Sequence, residues 1–94
     1  MITLDMIKEG YEKGLIKIVT SPHDDGVVCS IGEHWFYFGG ITAEKCKTPE
    51  EYTANVPQEN IVREIFEVVD DFYIEFEDEY YYYMYYLQEH GITK

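Results

Sequence analysis

PQENIVREIFEVVDDFYIEFEDEYYYYMYYLQEH, residues 57–90, is the stretch whose reading decides the fold. It has no Gly, and its one Pro, Pro57, stands at its head. Apolar side chains recur at Val62, Ile65, Val69, Phe72, Phe76, Tyr80, Tyr83 and Leu87, each step being three or four residues. That is the α-helical repeat of about 3.6 residues. Ile61, Phe66, Val68, Tyr73 and Met84 widen the stripe into a face broad enough to seat on a sheet. We read one continuous helix over 57–90, with Pro57 in the first turn, where its missing N–H is no loss. A break near Asp78 is the competing reading, because ~30 helical residues span ~45 Å.

The opposite side of this helix carries Glu59, Glu64, Glu67, Asp70, Asp71, Glu75, Glu77, Asp78 and Glu79, answered by Arg63 alone. Acids one turn apart repel. Glu64, Glu67, Asp70, Asp71, Glu75 and Asp78 form the candidate acidic face. It is either a solvated helix surface or an imitation of the phosphate row of a nucleic acid.

Working outward, Thr48-Pro49-Glu50-Glu51 combines an N-cap Thr, a Pro at N1 and a Glu at N3. This capping box predicts a short helix reaching about Asn55. Upstream, residues 15–20 and 27–31 are rich in β-branched residues and read as strands, as does 34–38. Ser21 to Gly26 is a turn by composition. Gly32-Glu33 fits a two-residue type II′ hairpin. Pairing Ile31 with His34 puts Val27, Cys29, Ile31, His34, Phe36 and Phe38 on one face, the better core. Val28, Ser30, Trp35 and Tyr37 take the other, either covered by the first helix or exposed. That helix, over 4–13, is capped by Thr3 and closed by Gly14, and Gly10 inside it implies close packing or a marginal helix. The expected fold is a single α+β domain, a three-stranded antiparallel meander packed by a long C-terminal helix, in the order α-β-β-β-α-α.

Composition restricts function. Nineteen acids against seven bases give a net charge of −12 in 94 residues. This disfavours direct nucleic-acid binding, which requires Lys and Arg, and suits a basic partner. No apolar run approaches the ~20 residues of a membrane span, and the N-terminus lacks a signal-peptide pattern. Cys29 and Cys46 show no metal spacing and read as reduced thiols of a cytoplasmic protein.

Individual candidates for chemistry are thin. His23-Asp24-Asp25 offers metal-ligand types, but consecutive turn residues seldom converge on one ion. Glu33-His34 offers an acid/base pair; the plainer reading is a hydrogen-bonded histidine at the sheet margin. Cys29 reads as a small core residue and Cys46, between two lysines, as a solvated thiol. No phosphate loop, dinucleotide turn, zinc helix or nucleophile elbow is present. We expect no enzyme, no cofactor and no metal.

The tyrosine run is the most unusual feature. Tyr80, Tyr83 and Leu87 point to the core, leaving Tyr81 and Tyr85 on one flank and Tyr82 and Tyr86 on the other. Aromatic residues are enriched in contact patches. Tyr81, Tyr82, Tyr85 and Tyr86, with Trp35 and Tyr37, are the expected interface. The reading is a small acidic interaction module that self-associates as a homodimer or binds another protein. Element order and charge also resemble those of small phage-encoded inhibitors such as the acidic anti-CRISPR proteins that imitate DNA. That resemblance implies the alternative, an acidic nucleic-acid mimic binding a basic nucleic-acid-binding protein.

Overall fold

A computed structural model describes residues 1–93. Eight elements follow one another: α1 (Leu4–Glu12), β1 (Ile16–Thr20), β2 (Val27–Ile31), β3 (His34–Phe36), α2 (Gly40–Lys45), α3 (Pro49–Asn55), α4 (Gln58–Glu75) and α5 (Glu77–Glu89). The strands form one antiparallel sheet in the order β1-β2-β3. The fold is α+β with the expected meander. Ile31 pairs with His34 across the turn, and Gly32 alone has positive φ there, as a type II′ turn requires.

Register fixes the faces. Ile16 opposes Ile31 and Ile18 opposes Cys29, so these side chains share the face that also carries Val27 and Phe36. The three helices α1, α4 and α5 supply the facing layer: Ile7, Ile65, Val69, Tyr83 and Leu87 are fully buried in one cluster with Ile16, Cys29 and Ile31. Gly10 permits the close approach of α1. A Cβ there would lie 2.9 Å from Ile16 Cδ1 and 3.1 Å from Leu87 Cδ2, so close packing accounts for it. The first helix therefore sits on the core side and leaves Trp35 and Tyr37 exposed on the other.

Local signals behave largely as their chemistry demands. The Thr3 hydroxyl accepts from Met6 N–H and caps α1. The Leu15 N–H reaches Gly10 O and the Gly14 N–H reaches Tyr11 O, closing the helix in a Schellman motif. Thr48 caps α3 by accepting from Glu51 N–H. The Glu51 carboxylate reaches one residue further back than a capping box would, to Lys47 N–H at 2.6 Å. β3 is shorter than expected, although Phe38 stays buried against Tyr52. α2 is an addition to the expected elements: its six residues begin at Gly40, within a Gly39-Gly40 pair whose sequence reads only as a strand terminator.

The expectation of one continuous helix over 57–90 is corrected. The chain leaves helical geometry at Phe76 (φ −142°, ψ 70°), which ends α4 and starts α5. A straight helix over Gln58 to Glu89 would run about 48 Å at ~1.5 Å per residue, against a longest molecular extent of 32 Å. The break also places Glu77, Asp78 and Glu79 in the first turn of a new helix, where the dipole favours acids that would repel mid-helix. Pro57 sits one position earlier than expected, its carbonyl accepting from Asn60 and Ile61 N–H.

Candidate functional site

The tyrosines of α5 divide by direction. Tyr80 and Tyr83 point inward, as the helical phase requires. The Tyr80 hydroxyl accepts the buried Ile2 N–H at 2.6 Å. Tyr83 packs on Phe36 and donates to Glu79 Oε2 at 2.8 Å. The same carboxylate oxygen lies 3.0 Å from His34 Nδ1. Burial pushes the Glu79 carboxyl up, but the hydrogen bonds from His34 and Tyr83 outweigh it and hold it below its ordinary range. Burial, reinforced by Glu79, pushes the Tyr83 hydroxyl well above its own.

The two flanks differ. Tyr82 stacks on His34 (centroids 3.8 Å apart, 8° between planes), and its hydroxyl accepts the Glu33 N–H at 2.9 Å. Tyr86 stacks on Tyr82 and lies 4.3 Å from the His90 ring. This flank is half-buried and tied to the hairpin. On the other flank Tyr81 and Tyr85 stack at 6.1 Å, and Tyr73 of α4 joins them 6.5 Å from Tyr81. Tyr85 is 56% exposed, and Tyr73 is also exposed. Tyr73, Tyr81 and Tyr85 thus form a continuous aromatic ledge across both helices.

Trp35 and Tyr37 make a third group, on the far face of the sheet. They meet edge to face at 5.5 Å, and His23 lies 5.6 Å from Trp35. The Tyr37 hydroxyl donates to Asp24 Oδ1 at 2.9 Å, and the Ser21 hydroxyl donates to the same oxygen at 2.8 Å. The Ser21 bond, then the Tyr37 bond, holds the Asp24 carboxyl below its ordinary range. The expected interface residues are therefore three groups rather than one patch. Asp24 and Asp25 border an open cleft of about 590 Å³ with Tyr37 and Glu44, while His23 is not among its walls. Among the described residues no group of three or more His, Cys, Asp or Glu is arranged to hold a metal ion.

The acidic face is mostly solvent-facing. Glu67, Asp70, Asp71, Glu75 and Asp78 are exposed, and the ion pairs among the described residues, Lys13–Glu9 and His34–Glu79, include none of them. Glu64 departs from the row: it is half-buried and accepts from the Tyr52 hydroxyl at 2.8 Å. Burial, then the Glu64 bond, raises the Tyr52 hydroxyl well above its ordinary range.

Neither cysteine is poised for chemistry. Cys29 is fully buried, and burial drives its thiol far up. The expectation of a solvated Cys46 is corrected: it is buried at the end of α2, an element whose packing no sequence signal announced. His34 takes Glu79 as its partner, 45 residues away, rather than its neighbour Glu33.

Sequence reasoning missed one surface feature. Phe76, assigned to the core stripe, is 59% exposed, and Ile74 is 85% exposed. The break takes Phe76 out of the core phase, whereas Ile74 precedes it and lies on the side of α4 away from the buried stripe. The length of the stretch and an acid cluster that prefers a helix start are the signals of the break. Among the described residues no helix is long and apolar enough to cross a membrane. Compared with known proteins, the chain matches no family model, no curated protein and no solved structure.

Proposed function

We propose that this protein is a non-enzymatic, cytoplasmic protein-interaction module that self-associates through the Tyr73–Tyr81–Tyr85 ledge. The observation that carries this reading is a continuous aromatic surface on an otherwise acidic molecule, with Tyr73 and Tyr85 exposed on either side of a half-buried Tyr81. Soluble monomers rarely expose contiguous apolar patches, and aromatic surface is where binding energy concentrates. A two-fold, antiparallel contact brings two ledges together while holding the acids of α4 apart. Supporting a binding role over catalysis, Cys29 is buried with a raised pKa, and His34 is engaged by Glu79. The two free, buried cysteines accord with a reducing compartment.

Sedimentation at micromolar concentration tests it. The wild type should run as a dimer and Tyr81→Ser/Tyr85→Ser as a folded monomer. A wild-type monomer throughout that range overturns self-association. A second reading, an acidic mimic of nucleic acid that binds a basic nucleic-acid-binding protein, draws support from the absence of any Lys or Arg from 64 to 93 alongside nine acids. Charge complementarity of that kind accelerates encounter with a basic surface.

A further inference from the structure

We propose that the α4–α5 elbow, centred on Ile74 and Phe76, is a docking site for a basic, amphipathic segment of a partner protein. This inference rests on the reading of the chain as an interaction module and adds a surface distinct from the tyrosine ledge, with its own occupant. Ile74 is 85% exposed, the most exposed large apolar side chain on the molecule among the described residues, and Phe76 is 59% exposed. Neither position is one the fold needs to be apolar. Phe76 serves as the shared cap of two helices through its backbone, its N–H donating to Phe72 O and its carbonyl accepting from Tyr80 N–H. Ile74 falls on the side of α4 opposite the buried stripe of Ile61, Val62, Ile65 and Val69.

The surroundings identify the occupant by charge. Asp70 and Asp71 stand one helical turn before Ile74, and Glu75, Glu77 and Asp78 flank Phe76. All five acids are exposed, and neither of the ion pairs among the described residues involves them. An apolar centre inside a polar rim is the anatomy of a protein contact, and this rim has one sign. A second copy of the elbow would bring acid against acid, and an anionic membrane or nucleic acid would be repelled. A helix or strand with apolar side chains on one face and Lys or Arg beside them satisfies both parts. Its apolar groups cover Ile74 and Phe76, and its cations replace the missing internal counter-charges. A like-charged rim also opposes association of two copies through their exposed Ile–Phe pairs.

The test uses the full chain and three designed peptides of equal length: an amphipathic Leu/Lys helix, the same peptide with Ser for Leu, and a Leu/Glu helix. Binding is read by titration calorimetry and by methyl NMR shifts of Ile74. The Leu/Lys peptide should bind with shifts at Ile74. The Ser/Lys and Leu/Glu peptides, and the variant Ile74→Ser/Phe76→Ser with the Leu/Lys peptide, should each be weaker by about tenfold or more. Circular dichroism checks that the variant is folded; the Ile74 shifts in the wild type stand independently of it. Equal affinity for Leu/Lys and Ser/Lys, unchanged Ile74 methyls, or stronger binding to zwitterionic vesicles than to the Leu/Lys peptide would overturn the proposal. Sedimentation of the same samples separates the two readings. A dimer that fails to bind the peptide sinks the elbow alone, and a monomer that binds it sinks the ledge alone.

Discussion

Gly32 turns at φ +66° with Tyr82 Oη and Tyr86 Cδ1 pressed against it, and a Cβ built there would lie 2.5 Å and 3.0 Å from those atoms. Gly32→Ala therefore meets two separable obstacles, a backbone conformation that costs an L-residue roughly 1–2 kcal/mol and a clash with α5. Urea denaturation should show a loss of about 2 kcal/mol or more. In a Tyr82→Ala background the closer clash disappears, leaving the contact with Tyr86, and the cost of Gly32→Ala should fall toward the backbone part; strict additivity would show that α5 already yields to the added methyl. Glu79 supplies a second residue-scale expectation. Its carboxyl is held below its ordinary range in the folded protein. Such a group adds stability above its unfolded pKa, and that stability disappears as pH falls through the lower folded value. The stability gap between wild type and Glu79→Gln should narrow on acidification from neutral pH to below pH ~4. A gap that widened over that range would mean that His34 and Tyr83 do not favour the ionised carboxylate.

At the scale of elements, α4 and α5 share a helical phase in sequence but not a common axis. Val62, Ile65 and Val69 are buried as the stripe requires, and so are Tyr80, Tyr83 and Leu87, while Phe76 between them is exposed. Ile65→Ala should cost ~2–5 kcal/mol as a buried cavity. Phe76→Ala gives up mainly its edge contact with Phe72 at 5.9 Å and should cost about 1 kcal/mol or less. Matching losses in thermal denaturation would restore a continuous helix with Phe76 inside. Val69→Asp should unfold the protein, because it buries an unpaired charge. Glu67→Lys, exposed on the acidic row, should be neutral or stabilising.

At the scale of the whole molecule, the net charge of −12 is concentrated on α4 and the start of α5. Self-repulsion of exposed acids weakens as salt shortens the Debye length from ~30 Å at 0.01 M to ~8 Å at 0.15 M. The melting temperature should rise between those two conditions. A flat profile would place the acids too far apart to repel one another. The expected rise is also diagnostic of the elbow and ledge: salt should strengthen contact between two acidic copies and weaken contact with a basic peptide.

Much of this protein follows from local chemistry. Residues 27–38 specify their own hairpin, because Gly32 at a type II′ position sets the register and period-two alternation sets the faces. Thr3, Gly14 and Thr48 mark helix ends for the same local reason, each satisfying backbone groups within a few residues of itself. The acidic row was legible too, since surface charge needs no partner to be read. The rest was decided by contacts between residues far apart in the chain. Periodicity reports phase and not direction, so it runs unbroken through Phe76, where the chain leaves helical geometry. Nor could it say which flank of the tyrosine run meets the hairpin. Tyr82 and Tyr86 meet the hairpin, whereas Tyr81 and Tyr85 pack with Tyr73 of α4, because Gly32, His34 and Glu33 arrive on one side only. The exposure of Phe76 and the burial of Cys46 follow from where helices stop, a property of packing that no single segment carries.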